Sequence, residues 1–277
     1  TINPSGKRSI VFNPNDGYPD LTVTLPCGQC IGCRLERSRQ WAIRCHHENQ
    51  LHDKSAFITL TFSDEYLDPD GSLVKSDFQN FMKRLRRASA EPLRYFHCGE
   101  YGELNARPHH HAIIFGRDFP DQVLHSKENG INLYTSKELS TLWPFGINTI
   151  GEVNFETSAY VARYITKKVT GESAAVEYGS REPPYNTMSR RPGIGADWYK
   201  RFKNDVYPDD FCVIRPGLIA KPPKYYDKNL ELDSPVQYNQ MKLARRKSAA
   251  RRADDNSPSR LQVKEELKYH QMKRITR

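Results

Sequence analysis

The chain of 277 residues carries 42 Lys and Arg against 33 Asp and Glu, a formal charge of +9, with 37% hydrophobic and 11% aromatic residues. That suffices for one sizeable core with extensions, because single cores grow to about 250 residues before splitting. A mean hydropathy of −0.76 and apolar runs no longer than that of Ala112 to Phe115 exclude a spanning helix, which needs about 18 apolar residues. With no apolar leader segment at its start, the chain is expected to be cytosolic and independent of membranes.

Charge is concentrated at one end. Residues 242–277 hold 12 Lys and Arg against 4 Asp and Glu, or +8, leaving +1 for the 30 against 29 elsewhere. Arg245, Arg246, Lys247, Arg251 and Arg252 cluster there. Such a tail binds phosphate without sequence preference by releasing condensed counterions; a solvated helix face with no partner is the alternative.

Residues 1–26 are punctuated by Gly, Pro, Asn and Asp and read as an irregular arm with a short strand at Leu21 to Thr24. Arg34 to His52 lacks Gly and Pro and predicts a helix. Ala56 to Phe62 is β-branched and aromatic, a buried strand. Phe78, Phe81, Met82 and Leu85 recur at helical spacing, with Ser76 or Asp77 as cap. Strands are expected at Leu93 to Cys98, His109 to Phe115 and Ile147 to Val153, a loop at Asp118 to Asn132, and helices at Ser136 to Leu142 and Thr157 to Val169. The order β-α-β-β-α-β-α describes an α+β fold: an antiparallel sheet with helices packed on one side, of the ferredoxin-like (RRM-like) class. The expected division is an N-terminal arm with cysteines and a helix (1–52), the core (53–172), a loop-rich extension packed on it (173–241) and a basic, partly helical tail (242–277).

Three features carry chemistry. The first is Arg107-Pro108-His109-His110-His111 at the opening of a strand. Strand alternation puts His109 and His111 on one face and His110 on the other. Glu100, nine residues before His109, reaches the same face if the two strands form a hairpin, with Glu103 as its competitor. Two imidazoles, a carboxylate and open positions suit Mg²⁺ or Mn²⁺ polarising a phosphate oxygen.

The second feature is the helix containing Tyr160, Arg163, Tyr164, Lys167 and Lys168. Spacing of four stacks the two phenols on one helix face. A tyrosine is a weak nucleophile, with a pKa of about 10, and needs a metal or cations beside it. By itself the pair reads more readily as core aromatics.

The third feature is Cys27, Cys30 and Cys33, whose spacing suits thiolate ligation of structural zinc rather than disulfides; Cys45, His46 and His47 are candidates for the fourth ligand. Arg181, Arg190 and Arg191 with Tyr185, Trp198 and Tyr199 form a further candidate grip on single-stranded DNA, or else a loop packed by its own aromatics.

The histidine triplet with Glu100, the strand Phe57-Ile58-Thr59-Leu60-Thr61-Phe62, and Tyr160-x3-Tyr164 followed by Lys168 resemble the rolling-circle replication initiators of the HUH endonuclease superfamily. Pro26 to Arg34 and Trp41-Ala42-Ile43-Arg44 look like the initiators of gokushovirus-type phages of the Microviridae. His110 stands where that family more often has an apolar or aromatic residue. The resemblance implies an enzyme whose metal, held by His109, His111 and Glu100, helps a tyrosine nick the origin strand. The product is a 5′-phosphotyrosine and a free 3′-hydroxyl that primes synthesis; the second tyrosine later transfers and closes the circular single strand, and Lys168 neutralises phosphate. Lys167, Arg163 and Arg107 become DNA contacts. Partners implied are single-stranded origin DNA and a host helicase and DNA polymerase in the bacterial cytoplasm, with no small-molecule substrate. A nucleotide-binding Gly-x4-Gly-Lys-Ser/Thr loop is missing from the sequence, so unwinding must come from a partner. The rival readings are a transposase or relaxase of the same chemistry, a metallohydrolase using water, and a non-enzymatic, zinc-stabilised DNA-binding protein.

Overall fold

The computed structural model describes residues 10–18, 25–102, 105–128, 130–167, 169 and 173–275; the strand expected at Leu21 to Thr24 lies outside them. In chain order come helix α1 (Ile31–Asn49), strand β1 (Ser55–Leu60), α2 (Lys75–Arg87), β2 (Arg94–Tyr101), β3 (Pro108–Phe115), β4 (Val123–Glu128), β5 (Ile131–Thr135), α3 (Lys137–Leu142), β6 (Asn148–Gly151) and α4 (Phe155–Lys167). After these lie α5 (Ser173–Tyr178), β7 (Tyr185–Met188), α6 (Ala196–Val206), β8 (Cys212–Arg215), β9 (Leu218–Ala220), α7 (Lys224–Asp233), α8 (Pro235–Ala250) and α9 (Pro258–Ile275).

The expected antiparallel sheet of an α+β fold is present. It has seven strands in the order β4-β5-β6-β1-β3-β2-β7, and every pairing is antiparallel. Its central strands are apolar on both faces, so both must be covered. Ala56, Ile58, Leu60, Ala112 and Ile114 pack on Phe78, Phe81 and Leu85 of α2 and on Leu139 of α3. Phe57, Phe96, Cys98, Ile113 and Phe115 pack on Cys45 of α1 and Val161 of α4. Helices therefore lie on both sides of the sheet, which corrects the one-sided layer read from the sequence.

Other differences are local. The segment read as a loop from Asp118 contains the hairpin β4-β5, added at the sheet edge. Its turn is Asn129-Gly130, with Gly130 at φ +81°; Asn-Gly is a strong hairpin signal that the sequence reading passed over. At α2 the N-cap is Val74, without a side-chain bond, so Ser76 and Asp77 sit inside the first turn and neither caps. At α3 Ser136 does cap, its Oγ accepting from Leu139 N–H at 3.0 Å.

The stretch 173–241, expected to be loop-rich, is instead largely helical and builds a second core. Ile43 of α1 meets Trp198, Tyr199, Tyr226 and Leu230 there. Glu48 of α1 binds Arg94 and accepts from Gly195 N–H at 2.6 Å. Gly195 has φ +77°, and a Cβ there would sit 2.6 Å from the Tyr226 hydroxyl, so only glycine fits the turn into α6.

Candidate metal and nucleic-acid site

The β2-β3 register sets Glu100 directly opposite His109 and Cys98 opposite His111, so alternation brings the carboxylate and both imidazoles to one face. Glu100 Oε1 lies 2.8 Å from His109 Nε2 and 3.1 Å from His111 Nε2. Each ring is fixed from behind. His109 Nδ1 sits 3.1 Å from the Arg107 carbonyl, and His111 Nδ1 sits 2.9 Å from Thr59 Oγ1 on β1. A carbonyl only accepts, so His109 carries its proton on Nδ1 and presents the lone pair of Nε2 to a carboxylate.

Two acceptors at that distance need a cation or an extra proton between them. Ligands adjacent on an octahedral ion with bonds of about 2.1 Å are about 3.0 Å apart, close to the observed separations. All the donor atoms lie within 4.8 Å of one another, and the outward nitrogens are held as metal-binding histidines require. The group thus fits a divalent ion of the Mg²⁺ or Mn²⁺ type. Burial pushes the Glu100 carboxyl up, but the imidazoles of His109 and His111 outweigh it and hold it below the ordinary carboxylate range. Glu103, the competing carboxylate, lies outside the described residues. Thr59 is the residue that sequence reasoning missed; its signal is a hydroxyl on a strand face otherwise occupied by Phe57.

His110 points the other way, as alternation predicts. Fully buried, it has Nδ1 3.1 Å from His97 Nε2, and His97 Nδ1 lies 2.9 Å from Thr187 Oγ1. Rings of Phe62, Phe78 and Trp143 surround it. Burial drives its pKa down to about 3, with the neighbouring histidines adding to the shift.

Tyr160, on α4, is 41% exposed, and its ring meets His111 edge-on at 5.5 Å and Phe57 at 6.1 Å. Tyr164 and Lys167 follow on the same helix, but their side chains, and Lys168 altogether, lie outside the described residues. Arg163 is half-buried. Arg107 donates to Asp64 Oδ1 at 2.5 Å and to the Phe62 carbonyl at 2.9 Å, bracing the strand end beside the site.

Two groups of expected site residues part company. Cys27, Cys30 and Cys33 converge, with their sulfurs within 4.8 Å of one another. Cys45 does not join them. It is buried against the sheet, about 18 Å along α1 from Cys33 at the helical rise. His46 Nε2 faces the Ile214 carbonyl at 3.2 Å and His47 Nδ1 the Tyr226 hydroxyl at 3.0 Å, which removes both as fourth ligands. In the tail, Arg246, Lys247, Arg251 and Arg252 are exposed. Arg245 is not among them in role: its guanidinium grips Asp210 at 2.6 and 2.7 Å and Asp227 at 2.7 and 3.0 Å. It fastens α8 to the second core. Trp198 and Tyr199 are buried in that core, Trp198 stacked on His47 at 3.5 Å, so neither is placed to stack on a base.

An antiparallel sheet carrying a two-histidine, one-carboxylate group beside a helical tyrosine is shared with a known class. Residues 55–169, from the first residue of β1 to just past α4, match the family model of the ORF2-type replication-associated proteins. The chain is 33% identical to replication-associated protein VP4 of Bdellovibrio phage phiMH2K over 89% of its own length and 83% of that protein's. It is 30% identical to replication-associated protein ORF2 of Spiroplasma virus 4 over 79% of this chain and 71% of the relative. With replication-associated protein ORF4 of Chlamydia phage 1 it shares 31% identity over 66% of this chain and 49% of the relative. The protein belongs to this family of phage replication-associated proteins. No solved structure matches it, and no described helix is long and apolar enough to cross a membrane.

Proposed function

We propose that this replication-associated protein initiates rolling-circle replication by nicking the origin strand with a tyrosine. The observation that carries the reading is the convergence of Glu100, His109 and His111 next to the exposed ring of Tyr160. Glu100, His109 and His111 hold Mg²⁺ or Mn²⁺, which when bound draws charge from a non-bridging oxygen of the scissile phosphate. The Tyr160 or Tyr164 oxygen, having given up its proton, attacks phosphorus; the bond to the 3′-oxygen breaks, and a 5′-phosphotyrosine and a 3′-hydroxyl result. Buried Glu100 and Thr59 keep the imidazoles aimed, so little reorganisation accompanies the step. After one round, the other tyrosine repeats the attack and the released 3′-hydroxyl resolves the first linkage, closing a single-stranded circle.

Arg163, Lys167, Lys168 and the exposed tail cations engage the DNA backbone. Unwinding and synthesis fall to a host helicase and DNA polymerase, which places the work in the cytoplasm of the host. Incubation with labelled single-stranded origin DNA and Mn²⁺, followed by denaturing gels, tests the reading. A metal-dependent protein–DNA adduct that is lost only in the Tyr160→Phe/Tyr164→Phe double variant is the expected result. Binding without an adduct for the unaltered protein, across metals and origin sequences, overturns it.

A further inference from the structure

The chemistry just described leaves Cys27, Cys30 and Cys33 without a task. All are free thiols, Cys27 and Cys30 exposed, on the short segment that turns at Gly28 (φ +77°) and runs into the first turn of α1. We propose that they form a mononuclear zinc-class site with three thiolate ligands and a fourth position open to a ligand from outside the chain.

Spacing of the sulfurs points to a single ion. Cys27 Sγ and Cys33 Sγ are 3.9 Å apart. Bonds of about 2.3 Å from sulfur to tetrahedral zinc place neighbouring thiolates about 3.8 Å apart, whereas a disulfide needs about 2.05 Å. An iron–sulfur cubane, in which each cysteine takes a different iron, holds its thiolates farther apart than one shared ion does. The backbone is prepared for thiolate as well: Cys30 N–H donates to Cys27 Sγ at 3.2 Å, in the manner of a knuckle closing over a metal.

Closure is what the chain lacks. Among the described residues, no other His, Cys, Asp or Glu atom joins these thiols. Cys45, Cys98 and Cys212 are buried elsewhere. Structural zinc sites are four-coordinate, and those with three protein ligands keep one place for solvent or another donor. Here the open side is the exposed side, so a thiol, imidazole or carboxylate from solution or from another macromolecule has access. The ion also ties the chain ahead of residue 27 to the end of α1.

The full-length protein, purified without chelator, is tested by metal analysis and by cobalt substitution. One zinc per chain is expected to vanish in Cys30→Ser, with circular dichroism unchanged. Cobalt in its place gives a thiolate charge-transfer band, a signature that the histidine group cannot produce. Titration with 2-mercaptoethanol or imidazole then shifts that spectrum. A spectrum indifferent to both probes shows a fourth ligand from this chain and overturns the open position. Equal zinc content in wild type and Cys30→Ser, or no zinc at all with thiols rapidly alkylated, overturns the site. None of these readouts depends on DNA nicking, so the site stands or falls apart from it.

Discussion

Three consecutive histidines on β3 meet opposite fates. His109 and His111 converge on a carboxylate, each with its rear nitrogen pinned. His110, between them, is sealed among aromatic rings, with only His97 for a hydrogen-bond partner among the described residues. Residue type is constant; the face of the strand decides. On one side the imidazoles are ligands in waiting, and on the other an imidazole is a core side chain kept neutral by burial.

The contrast can be broken at its strongest point first. His111→Ala is expected to lower metal-supported nicking about 100- to 1000-fold, the range for losing a preorganised electrostatic group, in single-turnover assays at saturating DNA. Thr59→Val removes the hydroxyl behind His111 and should weaken metal affinity about 10- to 100-fold. A manganese titration of nicking reads this, and extra metal should restore the rate. His110→Leu should leave nicking and metal affinity unchanged, while urea unfolding shows a loss of about 1 to 3 kcal/mol because His97 keeps a buried nitrogen without its partner. A large nicking defect in this variant would erase the distinction between the two faces.

A histidine remote from the site sharpens the same point. Burial, with His46 beside it, pulls the His47 pKa down to about 3, whereas in an unfolded chain it takes a proton near about 6.5. Below that value the unfolded state binds a proton the folded state refuses. Stability therefore declines as pH falls, by up to about 1.4 kcal/mol per pH unit, until the folded imidazole titrates. In denaturant melts between about pH 6 and pH 4, His47→Gln is expected to flatten that slope.

Much of this was legible in the sequence because it rests on short-range periodicity. Alternation alone sorted His109 and His111 from His110, and the Phe78, Phe81, Met82, Leu85 stripe placed α2 on the sheet. What escaped depends on distant partners. Nothing local says that Arg245, one cation in a basic run, is engaged by Asp210 and Asp227. Likewise Trp198 and Tyr199 look like a nucleobase platform until α1 is seen to bury them. The β4-β5 hairpin escaped for another reason: Val123, Leu124 and Ile131 are exposed at a sheet edge, so its strands lack the inward apolar face that marks a strand. Only Asn129-Gly130 announced it.

Helix α1 faces two ways within a single turn: Ile43 enters one core and Cys45 the other. The matched family segment starts at Ser55, after this helix has ended. A polypeptide begun there would contain every proposed metal ligand yet expose Phe57, Phe96 and Ile113 to water. The stretch by which kinship is recognised is thus smaller than the smallest piece that can fold, and a nuclease cut to its signature would be expected to precipitate.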